Sequence, residues 1–202
     1  MKTKFAIAPS LALLLALGAC GADDDDENKS STPAEDIDKN NENKDSATEV
    51  EPRAFTVLVD LKDAEGKTLG TAELEEVEDG VNVHIKAEGL EPGKHGFHFH
   101  ETGSCVVPDF ESAGGHFNPD NKEHGLEMEN GPHAGDMPNL EVGEDGEIDD
   151  KFVAKHISLS ENGENSLLND SGTALVIHAR KDDGMTQPSG DSGDRIACGV
   201  IK

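Results

Sequence analysis

The chain has 202 residues, enough for one domain of ordinary size with extensions, and 43 Asp and Glu against 17 Lys and Arg give it a formal net charge of −26. Such a surplus of carboxylates excludes a protein that binds nucleic acid by neutralising phosphates, and it disfavours a basic patch that docks on anionic membranes. Only 34% of the residues are apolar, which predicts that part of the chain does not fold.

The first twenty residues have the pattern of an export signal. A charged start precedes a mainly apolar run over residues 5–17, which is too short to cross a bilayer core of about 30 Å as a helix. The sequence Leu-Gly-Ala-Cys that ends at Cys20 resembles the lipobox of bacterial lipoproteins, in which the cysteine is acylated. Residues 1–19 are therefore expected to be a lipoprotein signal peptide, and the exported protein to be held at the outer face of the cell membrane only by lipid on Cys20. Ordinary cleavage near Cys20, leaving a free thiol, is the alternative.

Residues 20–52 are expected to be an acidic, disordered tether. Positions 21–52 hold 12 carboxylates against three lysines and almost no apolar side chains, so folding would bury too little surface to offset the ordering entropy. A metal-sequestering role for the four aspartates at 23–26 is the alternative to a solvated charge run. The remaining residues, 53–202, carry a formal charge of −19 and are expected to form the folded domain.

From residue 53 onward, hydrophobic residues alternate with a period of two. Apolar side chains occupy every second position over 55–61 and 81–87, which is typical of half-buried strands. Further strand candidates are 68–74, 96–101, 140–142, 148–159, 173–179 and 195–201. About eight short strands predict an all-β fold, an antiparallel sandwich or barrel. The connections 102–139 and 181–194 are too long for hairpins, which predicts functional loops.

Six histidines and one aspartate are arranged as metal ligands would be. His98 and His100 lie two apart in Gly-Phe-His-Phe-His-Glu, so a strand places both on one face, where imidazoles suit copper. Two exposed strand histidines are the alternative for this pair.

The polar segment 116–136 adds three histidines and one carboxylate, a set that zinc accepts in tetrahedral geometry. These residues are His116, His124, His133 and Asp136. His178 lies in an apolar strand, where a single histidine is more often a core residue than a ligand.

Five motifs follow one another along the chain: Gly-Phe-His-Phe-His-Glu, Gly-Gly-His-Phe-Asn-Pro at 114–119, Lys-Glu-His-Gly at 122–125, Pro-His-Ala-Gly-Asp at 132–136 and Arg-Ile-Ala-Cys-Gly-Val-Ile at 195–201. In this order and spacing they resemble the copper,zinc superoxide dismutase family, over residues 54–201. The short spacing between His100 and Cys105 is similar to the secreted bacterial branch. The resemblance implies an eight-stranded antiparallel Greek-key barrel with two long functional loops, and one copper and one zinc per chain.

The resemblance also implies a role for each motif residue. Copper would be bound by His98, His100, His116 and His178. Zinc would be bound by His116, His124, His133 and Asp136, so that His116 bridges the two metals. Asp182 would link a copper-bound histidine to a zinc-bound one, and Arg195 would guide the anionic substrate. Cys105 and Cys198 would form a disulfide.

The activity that the resemblance implies is conversion of superoxide to O₂ and H₂O₂ by Cu(II)/Cu(I) cycling, with His116 as a proton donor. The alternative is a non-catalytic copper- and zinc-binding paralogue, such as a metal buffer. Compared with eukaryotic members of the family, the loop between Asp182 and Arg195 is short. This would leave Arg195 as the main local cation. The expected partners are superoxide and no nucleic acid, and the expected state is a monomer or a weak dimer.

Deleting residues 21–52 is expected to leave superoxide dismutation per molecule unchanged, because no proposed ligand or core strand lies there. The measurement compares the specific activity of the full chain and the deletion variant at equal copper and zinc content. A large loss in the deletion variant would show that the acidic stretch supports the site.

Overall fold

The computed structural model describes residues 55–202. The expected signal peptide, Cys20 and the tether lie outside these residues. Within 55–202, no helix has the length and apolarity that a membrane crossing requires.

The described part consists of strands, loops and one short 3-10 helix, so the predicted all-β fold is confirmed. The strands are β1 (Thr56–Asp63), β2 (Thr68–Val77), β3 (Gly80–Glu88), β4 (Gly93–His95), β5 (Phe97–His100), β6 (Leu140–Val142), β7 (Glu147–Ala154), β8 (Thr173–His178) and β9 (Arg195–Ile201). The 3-10 helix spans Glu111–Ala113. Because only Gly96 separates β4 from β5, these two segments occupy one strand position, and the described strands fill the eight positions that the resemblance implies.

Seven strands form one antiparallel sheet in the order β5-β8-β9-β1-β2-β3-β7, and β4 pairs with β6. Strands β3 and β4 follow each other in sequence but are not neighbours in the sheet, because β3 pairs with β7 and β5 pairs with β8. Connections between strands that are not neighbours give the sheet a Greek-key topology. Since β4 runs directly into β5 and a tight turn joins β6 to β7, the small sheet links the two ends of the large one.

Alternation of apolar and polar residues decides which face of each strand is buried. In β3, Val81, Val83 and Ile85 are fully buried, whereas the residues between them are more exposed. In β8, every residue is buried, because the 3-10 segment covers the outer face of that strand. Phe110 and Ala113 pack there against the outward side chains of β8 and β9, in a second cluster separate from the main core.

Strand β7 ends at Ala154, earlier than the alternation predicts for 148–159. The carboxylate of Glu76 accepts hydrogen bonds from the Ser158 hydroxyl at 2.9 Å and from the main-chain N–H of Leu159. The ladder with β3 is already at its end at Ala154, because β3 begins at Gly80 and Val81 pairs with Ala154. The bonds from Glu76 hold the segment after Ala154 as a loop across the end of β2.

The long loop 101–139 returns to β5 and pairs with the edge of that strand. Phe99 N–H donates to Gly135 O at 2.9 Å, Gly135 N–H donates to Phe117 O at 2.8 Å, and Phe117 N–H donates to Phe99 O at 2.8 Å. A Cβ at position 135 would lie 2.4 Å from Phe99 O, so only glycine permits this approach. The return places the segments that carry His116 and Asp136 beside the histidines of β5.

The predicted disulfide is present between Cys105 and Cys198, with a Cα–Cα distance of 5.8 Å. It ties the loop 101–139 to β9, next to the Phe110 cluster. The first part of the loop is therefore held by a covalent bond and by apolar packing.

Replacing Cys105 with Ser releases a crosslink between residues 93 positions apart. In the chain-entropy description, a closed loop of this size accounts for up to about 4–5 kcal/mol of the free energy of unfolding. We expect Cys105→Ser to lower the urea midpoint clearly and to loosen the loop that carries His116. The double variant Cys105→Ser/Cys198→Ser should unfold at the midpoint of the single variant, because both lose the same bond. Equal midpoints for the oxidised wild type and Cys105→Ser would contradict this account.

Candidate metal centre

The structure brings the predicted ligands together in two buried clusters. One cluster consists of His98, His100, His116 and His178, and the other consists of His116, His124, His133 and Asp136. In each cluster, one donor atom per residue lies within 4.8 Å of all the others. Strands β5 and β8 supply three of the residues and the loop 101–139 supplies the other four, with His116 common to both sets.

Hydrogen bonds to the other ring nitrogen determine which nitrogen each histidine offers to the first cluster. His98 Nε2 faces Asp182 Oδ2 at 2.6 Å, which leaves Nδ1. His100 Nδ1 faces Gly114 O at 3.0 Å and His178 Nδ1 faces Gly193 O at 3.1 Å, which leaves Nε2 in both. The Nε2 atoms of His100 and His178 lie 3.4 Å apart. We call the first cluster, with its four histidines, the four-histidine set.

Two nitrogens of the four-histidine set have no hydrogen-bond partner among the described residues: His98 Nδ1 and His116 Nε2. Both are buried, and a buried polar atom without a partner costs about 1–3 kcal/mol. A metal ion bound by four imidazole nitrogens satisfies both atoms, and copper is the divalent first-row ion that such a donor set favours most. The residues present therefore fit copper.

The second cluster is arranged around Asp136. Its Oδ1 lies 3.0 Å from His116 Nδ1, 3.1 Å from His124 Nδ1 and 3.2 Å from His133 Nδ1. Its Oδ2 accepts hydrogen bonds from the main-chain N–H groups of Gly125 and His133, which fix the carboxylate. Zinc–nitrogen bonds of about 2.0–2.1 Å place tetrahedral ligand atoms roughly 3.3 Å apart, so this three-histidine, one-aspartate set fits zinc.

Asp182 joins the two clusters in the way that the resemblance implies. Its Oδ2 faces His98 Nε2 at 2.6 Å, and its Oδ1 faces His124 Nε2 at 3.0 Å. The main chain at Gly190 covers this bridge closely: a Cβ there would lie 1.9 Å from Asp182 Oδ1. Carboxylates in this position fix the tautomer and the orientation of metal-binding imidazoles.

Burial keeps the four-histidine set uncharged. Desolvation lowers the pKa of His98 to about 3, although the hydrogen bond to Asp182 opposes it, and lowers the pKa of His178 to about 4. Burial also lowers the pKa of His100 and of His116. At neutral pH these imidazoles are therefore neutral, which is the form that binds a metal.

In the second cluster, which we call the zinc-type cluster, one histidine is charged at neutral pH. Burial alone would lower the pKa of His124, but Asp136 and Asp182 face its two ring nitrogens and raise the pKa to about 9. Burial disfavours the charged form of these two aspartates, yet hydrogen bonds from the histidines hold the pKa of both well below the usual range. Without a metal, a His124 imidazolium would lie between two carboxylates at neutral pH.

Arg195, at the start of β9, is held beside the four-histidine set. Its guanidinium donates to Phe110 O at 2.7 Å and to Gly114 O at 2.6 Å, and Gly114 O also faces His100 Nδ1. Among residues 55–202, no carboxylate lies within 4.0 Å of this guanidinium. By contrast, Arg180 pairs with Asp191 at 2.8 Å.

The structure separates the remaining histidines from the clusters. His95 is buried, with its ring nitrogens 2.8 Å from His178 O and from Glu91 O. His84 is partly buried and pairs with Asp149 at 2.6 Å, and His156 is exposed.

Two polar residues of the site were not predicted from the sequence. Asn139 hydrogen-bonds the main chain of Asp182, and Gln187 hydrogen-bonds the main chain of His124. A single amide in a loop has no pattern that distinguishes it from a solvated one, so no signal in the sequence could have identified them.

Comparison with known proteins assigns the chain to a family. The family described as copper/zinc superoxide dismutase (SODC) matches residues 68–201. The chain belongs to this family. Because the family binds copper and zinc, the two clusters correspond to the cofactors that the sequence predicts.

Several bacterial members are similar along most of their length. The superoxide dismutase-like protein YojM of Bacillus subtilis is 51% identical over 154 residues, which cover 75% of this chain and 79% of that protein. Superoxide dismutase [Cu-Zn] 2 of Aquifex aeolicus is 46% identical over 144 residues, which cover 71% and 84%.

Solved structures of family members have the same fold. A double mutant of a superoxide dismutase-like protein from Bacillus subtilis, in which a tyrosine and a proline were each replaced by histidine, superposes with a TM-score of 0.70 at 51% identity, covering 71% of this chain and 95% of that one. The Cu/Zn superoxide dismutase from Brucella abortus gives a TM-score of 0.61 at 34% identity, covering 73% and 100%.

Zinc binding to the metal-free protein at pH 7 is expected to release about one proton, because His124 with a pKa of about 9 is protonated there and must lose its proton to bind. The apparent zinc affinity should therefore fall about tenfold for each pH unit below 9. Calorimetry in two buffers of different protonation enthalpy measures this release. His178→Ala, which alters only the four-histidine set, should release the same number. Zinc binding at pH 7 without proton release would contradict the charge state that we assign to His124.

Proposed function

We propose that this protein is a superoxide dismutase that converts two superoxide anions and two protons to O₂ and H₂O₂. The observation that carries the proposal is the shared position of His116, whose Nδ1 lies in the zinc-type cluster while its buried Nε2 faces the four-histidine set without a partner. Membership of the family supports the same reaction.

We propose that copper is bound by the four-histidine set, and zinc by His116, His124, His133 and Asp136. Copper supplies a one-electron couple and zinc a fixed charge with no redox chemistry. His116 serves as the proton donor: its Nε2 can hold a proton and pass it to the reduced substrate, while Nδ1 keeps the ring oriented toward Asp136. Asp182 fixes the rings of His98 and His124 and so fixes the position of one donor set relative to the other.

Arg195 supplies the local attraction for the anionic substrate in this proposal. In the described part, no carboxylate lies within 4.0 Å of its guanidinium, and Glu111 and Asp109 act on its charge only from farther away. Its two carbonyl contacts fix it beside His100. One charge at about 5 Å contributes roughly 1–3 kcal/mol in a medium of effective dielectric constant between 20 and 80. The surface carboxylates act over a longer range, and at physiological ionic strength the Debye length of about 8 Å screens most of them.

A non-catalytic metal buffer is the competing function. One similar protein is called only superoxide dismutase-like, so the family alone leaves catalysis to be tested. In this chain, both clusters have all the histidines that the resemblance implies, six in total, and Arg195 is present. A buffer has no need for an arginine that is fixed beside the metal donors with no carboxylate of the described part within 4.0 Å, which favours the enzyme.

We further propose that the enzyme works outside the cytoplasm, anchored by lipid on Cys20 at the outer face of the cell membrane. The lipobox-like sequence that ends at Cys20 supports this location. The Cys105–Cys198 disulfide agrees with it, because such bonds persist mainly in oxidising compartments.

Metal analysis combined with a superoxide assay tests the assignment of the two sets. His178→Ala is expected to abolish activity while one zinc and the fold are retained, and His116→Ala should impair retention of both metals. His156→Ala, which changes an exposed histidine outside both sets, should behave as wild type. Equal copper retention in His116→Ala and wild type would argue against the bridging role, and an inactive wild type with both metals bound would favour the metal buffer.

Arg195→Leu is expected to slow the second-order reaction with superoxide about tenfold while both metals stay bound, since it removes the roughly 1–3 kcal/mol of local attraction. Arg195→Glu should be slower still. Arg180→Leu is the matched control and should change the rate little, because Asp191 already pairs with Arg180. Added salt should slow the wild type and speed Arg195→Glu. A wild-type rate that rises with salt from about 50 mM upward would show that the global negative charge, and not Arg195, controls capture.

A further inference from the structure

The side-chain amide of Gln187 binds both main-chain polar groups of His124. His124 N–H donates to Gln187 Oε1 at 2.8 Å, and Gln187 Nε2 donates to His124 O at 2.9 Å. The same Nε2 also donates to Met185 O at 3.2 Å, within its own loop. One exposed side chain of the loop 179–194 therefore holds the backbone of one residue of the zinc-type cluster.

A second amide makes the converse contact between the same two loops. Asp182 N–H donates to Asn139 Oδ1 at 2.7 Å, and Asn139 Nδ2 donates to Asp182 O at 2.9 Å. Each loop thus provides an amide that binds the backbone of a metal-centre residue on the other loop. The side chains of the two residues held in this way, Asp182 and His124, meet at 3.0 Å.

The position of His124 explains why its backbone needs such support. It lies in the loop 101–139, outside any strand, eight positions after His116 and nine before His133. Ring orientation follows from the backbone that carries the side chain, and both ring nitrogens must point at fixed partners, Nδ1 at Asp136 and Nε2 at Asp182. Two hydrogen bonds to the same residue fix its peptide planes as a strand pairing would.

We propose that Gln187 is a positioning residue of the zinc site: its amide holds the His124 backbone so that Nδ1 stays directed at the metal, and this slows the loss of zinc. The inference rests on the proposed role of His124 as a zinc ligand. Because Gln187 is exposed, its contribution comes from these hydrogen bonds and not from apolar burial.

The test measures zinc transfer from the fully loaded full-length protein to a chromogenic chelator, together with the visible spectrum of the protein carrying Co²⁺ in place of zinc. Gln187→Leu removes both bonds to His124. Gln187→Glu keeps an acceptor for the His124 N–H but loses the donor to His124 O. Asn169→Leu is the matched control, since the Asn169 amide clamps a turn between Ser166 and Ser171 that contains no metal-centre residue.

We expect Gln187→Leu to release zinc about tenfold faster than wild type, the lower end of the range for residues that orient metal ligands. Gln187→Glu should fall between the two, and both variants should shift the Co²⁺ bands, which report ligand geometry. Asn169→Leu should match the wild type in both measurements. Equal zinc release and Co²⁺ spectra for Gln187→Leu and Asn169→Leu would overturn the inference.

His124→Ala separates this failure from failure of the proposed zinc site. If His124→Ala loses zinc rapidly while Gln187→Leu retains it like the control, only the role of Gln187 is wrong. If His124→Ala retains zinc as long as the wild type, His124 is not a ligand, and the inference falls together with the zinc assignment.

Discussion

The imidazole of His116 has one nitrogen in each of two buried donor sets, and its orientation determines whether either set is complete. Nδ1 lies 3.0 Å from Asp136, and Nε2 is buried without a hydrogen-bond partner in the described part. Burying so many polar side chains side by side is favourable only if each finds a partner. Carbonyl oxygens and Asp182 satisfy the outer nitrogens of the three strand histidines and of His124. The inner nitrogens are left to face the proposed metals.

The rest of the structure holds the loop 101–139, which contains only one short 3-10 helix, against a rigid strand. Strand β5 fixes His98 and His100, and the main chain at Phe117 and Gly135 joins that strand by hydrogen bonds. The disulfide and the Phe110 cluster hold the first part of the loop, and Gly114 O is shared by His100 and Arg195. Substrate attraction and metal binding therefore depend on the same anchored segment.

The parts of the fold that follow a period of two were predictable from the sequence. The alternation in β3 predicts its buried face, and the motif order predicts which histidines meet. The early end of β7 was not predictable, because it depends on the register with β3, in which Ala154 pairs with Val81 next to the start of β3. The full burial of β8 likewise depends on Phe110, which covers it from a loop.

Tertiary hydrogen bonds account for what sequence reasoning missed in the site. Gln187 and Asn139 are polar residues in polar loops, and only the folded structure places their amides on the backbones of His124 and Asp182. The charge difference between the clusters is also a tertiary property: His98 and His124 are both buried histidines, yet the pKa of one is lowered and that of the other is raised, because His124 lies between two carboxylates.

Anomalous diffraction from crystals of the loaded protein, recorded at the copper and zinc absorption edges, tests the central role of His116 most directly. The account predicts two separate peaks on opposite sides of one imidazole, with copper in contact with His116 Nε2 and zinc in contact with His116 Nδ1. Any of three results would contradict the account. These are a single peak, a copper peak out of contact with Nε2, or the same metal at both positions in protein that contains one copper and one zinc per chain.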